Sequence, residues 1–332
     1  MIAALMLSAA VQAAQMSPPS QVRSEALAFV EKCRVGPAYG AYSNKPGEDA
    51  SLYGSCYAAA VRYILGDLDI TRDERAQWFK SINSHQDTQT GAYNKGEPNL
   101  HLFSWALRGL SCLGGKPRYP AVFQRQWDDP GALTKWLDSL DWNKPWGTSI
   151  KAMHVGMPRA SKGKNISAAE EAWLEAYFKW LEDNQDPQTG YWGTNFGADL
   201  GQGMGGTFHL LPIYYGQHRP IPNLRRIVDS TLSLQRENGC FMGGYGDMDS
   251  LNMLRHAYEM DDYRRADIQH AAELAIRDVV ANHLAAGCDT IHELLAYIEA
   301  IAQISPMLPE GHAYANLGYP SAWDPNLWRC EW

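Results

Sequence analysis

The chain has 332 residues, of which 45% are hydrophobic and 20% are charged, a composition typical of a folded protein without long disordered stretches. Its net charge is -8 and no basic run or stripe stands out, so binding to nucleic acid through the phosphates is disfavoured. The unusual counts are 12 Trp, 17 Tyr and 29 Gly, which indicate many rigid aromatic side chains and many tight turns.

The first predicted element is an apolar N-terminal segment. Ile2 to Val11 is too short to span a bilayer, which takes about 20 residues, and small residues follow it. This pattern predicts a signal peptide at 1–14 and a single mature domain at 15–332, in a secreted or periplasmic protein; the alternative is an apolar chain end. The sequence contains no later run of 18 apolar residues, so we expect no membrane span.

Apolar residues at helical spacing predict twelve helices after this segment. Six are interpreted as outer helices, at residues 20–34, 71–84, 129–140, 167–184, 222–236 and 263–284. The other six are richer in Gly, Ala, Ser and Cys and are interpreted as inner helices, at residues 51–66, 99–114, 147–158, 203–216, 247–260 and 289–304. No run of alternating residues predicts a strand, so the predicted fold class is all-α.

A short motif recurs at the ends of three predicted outer helices. Residues 86–93 read QDTQTGAY, residues 185–192 read QDPQTGYW, and residues 235–241 read QRENGCF. The Gln positions lie 99 and then 50 residues apart, which fits a repeat of about 50 residues. Alternating helices in such a repeat predict a single (α/α)6 toroid of six helical hairpins, with an open solenoid as the alternative.

The six cysteines contain no CxxC pair, so a compact zinc site is not predicted. An even number of cysteines suits an exported protein with disulfides, and the sequence leaves their pairing open. Cys56 and Cys112 fall within apolar helical patterns and are alternatively buried thiols.

The motif at 185–192, Gln-x4-Gly-x-Trp, resembles the QW motif of the squalene-cyclase and prenyltransferase repeat superfamily. The segments at 86–93 and 235–241 resemble degenerate copies of it, and the repeat length agrees over most of the mature chain. The resemblance implies an α/α-toroid in which the Gln caps helix ends and the aromatic residue stacks over it. That role is structural and says little about chemistry.

The catalytic residues of that superfamily are matched less closely. Class II terpene cyclases use an Asp-x-Asp-Asp acid, whereas Asp247-Met-Asp249 is followed here by Ser250. Protein prenyltransferases hold zinc with Asp, Cys and His; Cys240 and His292 could join an aspartate in such a set, but the family's local pattern is absent. An isoprenoid-handling enzyme is therefore the alternative function. The same toroid resembles exported glycoside hydrolases and polysaccharide lyases, which implies an enzyme acting on a polysaccharide or oligosaccharide.

Ionisable residues near the starts of the inner helices are the candidate catalytic residues: Asp249, His209, Asp247, His101, His292 and Glu293. Asp247 and Asp249 could cap their helix, divide into acid and base, or hold a divalent cation, although no cofactor is predicted. A lone interior histidine is usually a hydrogen-bonded core residue. Three histidines near equivalent starts of different inner helices are nevertheless expected to converge at one mouth.

Long loops that lead from outer to inner helices are expected to gather at the same mouth, where binding residues concentrate. Flat aromatic rings there would hold the apolar faces of sugars, and the alternative role is packing between repeats. The candidate substrate-binding residues are Tyr42, Tyr53, Trp142, Trp146, Asn195, Tyr245 and Arg255.

Two cleavage reactions fit these residues. A glycosidase needs two carboxylates, about 5.5 Å apart for retention or about 6.5–9.5 Å apart for inversion. The first would be Asp249, and the second would be Glu48, Asp49 or Glu293.

A polyuronide lyase instead needs a base for a carbon-bound proton and a group that neutralises the substrate carboxylate. His209 and Tyr53 are the candidate bases, with Asn195 and Arg255 as neutralising groups. The sequence does not choose between hydrolysis and elimination, and a non-catalytic glycan-binding toroid is a further alternative.

Overall fold

The computed structural model describes residues 16–164, 166–194, 199–284 and 287–328. These residues form twelve α-helices and no strand, so the predicted all-α class is confirmed. In chain order the helices are α1 (Pro19–Lys32), α2 (Leu52–Ile64), α3 (Arg72–Asn83), α4 (Leu100–Cys112), α5 (Pro130–Asp138), α6 (Pro145–Ala160), α7 (Ala168–Asp183), α8 (Leu200–Gln217), α9 (Leu224–Leu232), α10 (Tyr245–Met260), α11 (Arg265–Arg277) and α12 (Ile291–Ile304).

The predicted signal peptide at 1–14 lies outside the described residues. None of the described helices combines the length and the apolar character that crossing a lipid bilayer requires. Cys33, Cys56, Cys112, Cys240 and Cys288 are free thiols, whereas Cys330 lies outside the part of the chain that the structure describes.

Each predicted helix is present within a few residues of its predicted bounds. The largest difference at a start is in α8, which begins at Leu200 rather than at residue 203. The segment predicted at 263–284 divides in two, because α11 ends at Arg277 and the chain continues as a π-helix over Asp278–Leu284.

Capping residues mark the starts of several helices, which is why these starts could be predicted from the sequence. The Thr71 hydroxyl accepts the backbone N–H of Glu74, and the Glu74 carboxylate accepts the backbone N–H of Thr71. Ser167 and Glu170 form the same reciprocal pair at α7. A capping box satisfies N–H groups that a helix start would otherwise leave unpaired.

The even-numbered and odd-numbered helices differ in burial. In α2, 11 of 13 residues are buried, whereas α3 buries only Trp78 and Ile82. The even-numbered helices contact one another in chain order, and α12 contacts α2. The predicted inner helices are therefore the more buried set, and their contacts follow a cyclic order.

The Gln of each repeated motif joins its own turn to the next part of the chain. Nε2 of Gln185 donates to the carbonyls of Gly190 and Pro222, at 2.8 Å each, and Oε1 accepts from the Asn223 side chain. Nε2 of Gln86 donates to the carbonyls of Gly91 and Tyr119 in the same way. These turns therefore hold successive helices in place.

A C-terminal segment without α-helix, residues 305–328, packs across α4, α6 and α8 through the short 3-10 helix Pro325–Trp328. The buried carboxylate of Glu299 fixes this segment by accepting hydrogen bonds from the Ser321 hydroxyl and the Ala322 N–H. As a result, the indoles of Trp323 and Trp328 pack against the even-numbered helices.

Candidate active site

The even-numbered helices enclose a cavity of about 170 Å³. Six of the residues selected from the sequence line it: His101 of α4, Trp146 of α6, His209 of α8, Tyr245 and Asp249 of α10, and His292 of α12. The three histidines that were expected to converge from different helices do lie around one cavity.

Six further lining residues were not among the candidates: Trp105, Arg108, Ile150, Met153, His154 and Trp323. A sequence signal existed for two of them, because Trp105 and Arg108 follow His101 by four and seven residues, the spacing of one helix face. Trp323 arrives from the C-terminal segment, where no helical pattern could indicate its direction.

A groove of about 570 Å³ adjoins the cavity between α4 and α6 and shares His101, Ile150 and His154 with it. Trp136 and Lys151 are among its other lining residues. The cavity therefore continues into a wider space that has both apolar and polar walls.

Asp249 presents a carboxylic acid to the cavity. Its side chain is 2% exposed and makes no hydrogen bond or ion pair with any described residue. Burial, and secondly the neighbouring Asp247, raises the pKa of Asp249 well above its ordinary value. Burial without a partner among the described residues favours the neutral form of a carboxyl, which is the form that can donate a proton.

Asp247 has a different role, although it lies only two residues away. Its Oδ1 accepts the backbone N–H groups of Phe241, Met242 and Gly243, at 2.7–3.0 Å. The structure therefore places this candidate catalytic residue in the turn before α10, where its carboxylate holds the backbone, and not in the cavity wall. Among the described residues, Asp249 is the only carboxylic acid that lines the cavity.

Hydrogen bonds fix the tautomer of His101. Indole Nε1 of Trp105 can only donate, and it points at Nε2 of His101 over 3.2 Å. Nδ1 must then carry the imidazole proton and donate it to the Tyr53 hydroxyl, 2.6 Å away. Burial lowers the pKa of His101 to about 4, so the ring stays neutral. The predicted base Tyr53 is therefore a hydrogen-bond partner of His101, and it is not itself part of the cavity wall.

His209 leaves a basic nitrogen for the cavity. Its Nδ1 lies 3.0 Å from the hydroxyl of Ser149, and that hydroxyl donates to the Trp146 carbonyl. Nδ1 of His209 is therefore the donor in this pair, and Nε2 keeps its lone pair. Burial, with Arg108 and His101 nearby, lowers the pKa of His209 to about 3. The imidazole is neutral and can accept a proton.

His292 lies between two phenol rings. The ring centroids of Tyr57 and Tyr245 are 4.8 Å and 4.3 Å from its own. The Tyr245 hydroxyl donates to the backbone carbonyl of His292 at 3.0 Å, so this phenol is committed to a structural bond. Burial lowers the pKa of His292 to about 4, which keeps a third neutral imidazole in the cavity.

Two candidate binding residues pack within the protein instead. Tyr42 is fully buried against Trp78, and its hydroxyl donates to Glu31. Trp142 packs against Trp180 with ring centroids 5.1 Å apart and ring planes tilted by 37°. Neither ring lines the cavity, and each packs against another aromatic side chain instead.

The remaining candidates lie elsewhere. The Glu293 carboxylate accepts the backbone N–H of Asp289 and does not line the cavity. Arg255 pairs with Glu259 and lines a separate cavity of about 710 Å³ formed with the C-terminal segment. Asn195 lies outside the described residues. Glu48 and Asp49 are both exposed and are not in the cavity wall.

Among the residues that the structure describes, one group of potential metal ligands occurs next to this region. The ligand atoms of Cys240, Asp247 and Asp278 lie within 4.8 Å of one another. Hydrogen bonds already explain the grouping, because the Cys240 thiol donates to Asp247, whose Oδ1 also accepts three backbone N–H groups. Burial, and secondly Asp247, raises the pKa of Cys240 to about 12, which disfavours the thiolate that metals prefer.

No protein-family model matches this chain, and no curated protein matches it. The function is therefore inferred from the cavity itself.

Proposed function

We propose that the cyclic contacts of the even-numbered helices form an α/α-toroid, and that its central cavity is the active site of an enzyme that cleaves a glycosidic bond. The contact from α12 back to α2 supports a closed ring over an open solenoid, since an open array would leave its first and last repeats apart. The odd-numbered helices would then form the outer layer.

The observation that carries the proposal is the pairing of a neutral acid with neutral bases around one cavity. Asp249 is buried and has no hydrogen-bond partner among the described residues, and its pKa is raised well above the ordinary value. The pKa of His209 is lowered to about 3 in the same cavity. Environments that move two pKa values apart in this way are typical of acid and base catalysts.

In the proposed reaction, Asp249 donates a proton to the leaving glycosidic oxygen. Nε2 of His209 accepts a proton, either from an attacking water or from a carbon of the sugar ring. The Tyr53 hydroxyl accepts a hydrogen bond from Nδ1 of His101 and so holds this imidazole in the cavity wall.

The size of the cavity supports a small ring as the bound group. A volume of 170 Å³ is about six times the share of one water molecule in liquid water. The indoles of Trp105, Trp146 and Trp323 supply flat apolar surface, and the adjoining groove gives room for a neighbouring sugar unit. This combination favours one sugar unit in the cavity with the rest of the glycan in the groove.

The isoprenoid alternative has less support. Four histidines, an arginine and an aspartic acid line the cavity, whereas a long hydrocarbon would need an apolar space several times larger. Export remains a separate proposal, because the predicted signal peptide lies outside the described residues.

Incubation with a panel of neutral and acidic polysaccharides and oligosaccharides tests the proposed function. We expect new reducing ends from at least one glycan. Binding without new reducing ends would support a glycan-binding protein and overturn the enzymatic proposal. Turnover of an isoprenoid diphosphate, with no glycan cleaved, would favour the other enzyme class.

A further inference from the structure

Arg108 of α4 is a buried cation that no carboxylate of the described residues contacts directly. It is 1% exposed, lines the cavity and makes no hydrogen bond or ion pair with any described residue. Its Nε and Nη1 are buried without a hydrogen-bond partner among the described residues. Fully buried arginine is almost always paired with a carboxylate, so an unpaired one needs an explanation.

Three indoles surround the guanidinium. Its carbon lies 3.3 Å from the ring centre of Trp105, 4.2 Å from that of Trp323 and 4.8 Å from that of Trp328. These cation–π contacts stabilise the positive charge, but they satisfy none of its N–H donors. The stacking therefore explains how the cation is held and leaves its hydrogen-bonding capacity free.

The other groups around the cavity provide no negative charge. Asp249 is held in its neutral form, and His101, His209 and His292 are held neutral by burial. The buried Glu299 lies outside the cavity wall and interacts electrostatically with Arg108, but its oxygens accept hydrogen bonds from Ser321, Ala322 and Gln303 and not from the guanidinium. Among the described residues that line the cavity, Arg108 is therefore the permanently charged side chain.

We propose that Arg108 binds the carboxylate of an acidic sugar, so that the glycan cleaved in this cavity contains a uronate. This inference rests on the proposed function and names its substrate class. A sulfate ester would present similar charge and oxygen acceptors to the guanidinium. We favour the carboxylate because a cavity of this size encloses little more than the ring and a small substituent.

A carboxylate bound to Arg108 would make the carbon that bears it more acidic, which favours elimination over hydrolysis. Nε2 of His209 takes the proton from that carbon, the electrons of the C–H bond form a carbon–carbon double bond, and the bond to the glycosidic oxygen breaks. Asp249 supplies the proton that the leaving oxygen needs. No water, oxidant or reductant is consumed, and the two side chains return to their starting forms by exchanging a proton through solvent.

Calorimetric titration tests the inference directly. The probes are glucuronate and galacturonate, each with its neutral counterpart, glucose or galactose, and glucose 6-sulfate for the alternative anion. We expect wild-type protein to bind a uronate about 10- to 100-fold more tightly than its neutral counterpart, the range of a charge-assisted hydrogen bond. Equal affinity for the uronate and neutral sugars would overturn the proposal, and a preference for the sulfate ester alone would reject the carboxylate.

Arg108→Met should remove that preference while changing affinity for the neutral sugars by less than about threefold. Arg236→Met, at an exposed arginine outside the cavity, is the matched control and should bind like the wild type. If Arg108→Met does not fold, Arg108→Lys keeps the charge, and the wild-type comparison still decides the question. Uronate binding through Arg108 without cleavage of any glycan would refute the proposed function alone. Cleavage restricted to neutral glycans would refute this inference alone.

Discussion

Indole Nε1 of Trp105 donates to Nε2 of His101 over 3.2 Å, so His101 carries its proton on Nδ1. We predict that His101 holds this single tautomer from about pH 5 to pH 8, since burial lowers its pKa to about 4. Nitrogen-15 NMR of protein labelled at histidine measures the tautomer. A proton on Nε2, or titration of His101 near neutral pH, would disagree with the proposed hydrogen-bond chain.

Asp249 should make the folded protein less stable as the pH rises. The unfolded chain releases this proton near pH ~3.9, whereas the folded protein keeps it to a higher pH because its pKa is raised. Between those two values the folded state binds the extra proton, so the free energy of unfolding falls by up to about 1.4 kcal/mol per pH unit. Asp249→Asn cannot ionise and should remove this contribution to the slope.

Urea unfolding at several pH values between about 4.5 and 7.5 measures that slope. Asp262→Asn is the matched control, since the Asp262 side chain is 96% exposed and should leave the wild-type slope unchanged. Parallel slopes for the wild type and Asp249→Asn would show that Asp249 is ionised in the folded protein.

Alanine substitutions at Gly91 and Gly96 distinguish the cost of backbone strain from the cost of steric overlap. Both have positive φ, +75° and +81°, but a Cβ on Gly91 would lie 2.0 Å from the Pro120 carbonyl oxygen, whereas a Cβ on Gly96 would meet nothing within 4 Å. Gly96→Ala should cost about 1 kcal/mol of unfolding free energy from conformation alone. Gly91→Ala should cost several kcal/mol, because backbone must also move.

Chemical denaturation of the two variants checks this difference. A similar loss in both would mean that the turn at 86–93 adapts easily and does not fix the spacing between neighbouring helices. A much larger loss for Gly91→Ala would support the view that the repeated turns set the position of each pair.

The sequence alone was sufficient to predict the bounds of the helices and part of the candidate site. Capping residues such as Thr71 and Ser167 mark helix starts locally, so the bounds needed no knowledge of the tertiary structure. His101, His209 and His292 could be grouped because repeated helices place equivalent positions around the same space. The successful predictions therefore came from capping residues near the helix starts and from the repeated order of the helices.

The remaining site residues could not be predicted from the sequence. Their positions depend on the direction in which each side chain points and on segments that are distant along the chain. Residues two apart on a helix point about 200° apart, so Asp247 and Asp249 could not both face the cavity, but the sequence did not say which one does. Trp323 reaches the cavity from a segment without periodicity, which is held by Glu299 far along the chain. The sequence could not show that Arg108 is buried without direct contact to any carboxylate of the described residues.

Turnover by paired variants tests the central account most directly. On whichever glycan the wild type cleaves, Asp249→Asn and His209→Ala should each lower kcat by about 10²-fold or more, since each removes one proton transfer. Asp262→Asn and His270→Ala change exposed residues outside the cavity wall and should retain wild-type kcat. Full activity in both cavity variants would contradict the assignment of this cavity as the active site.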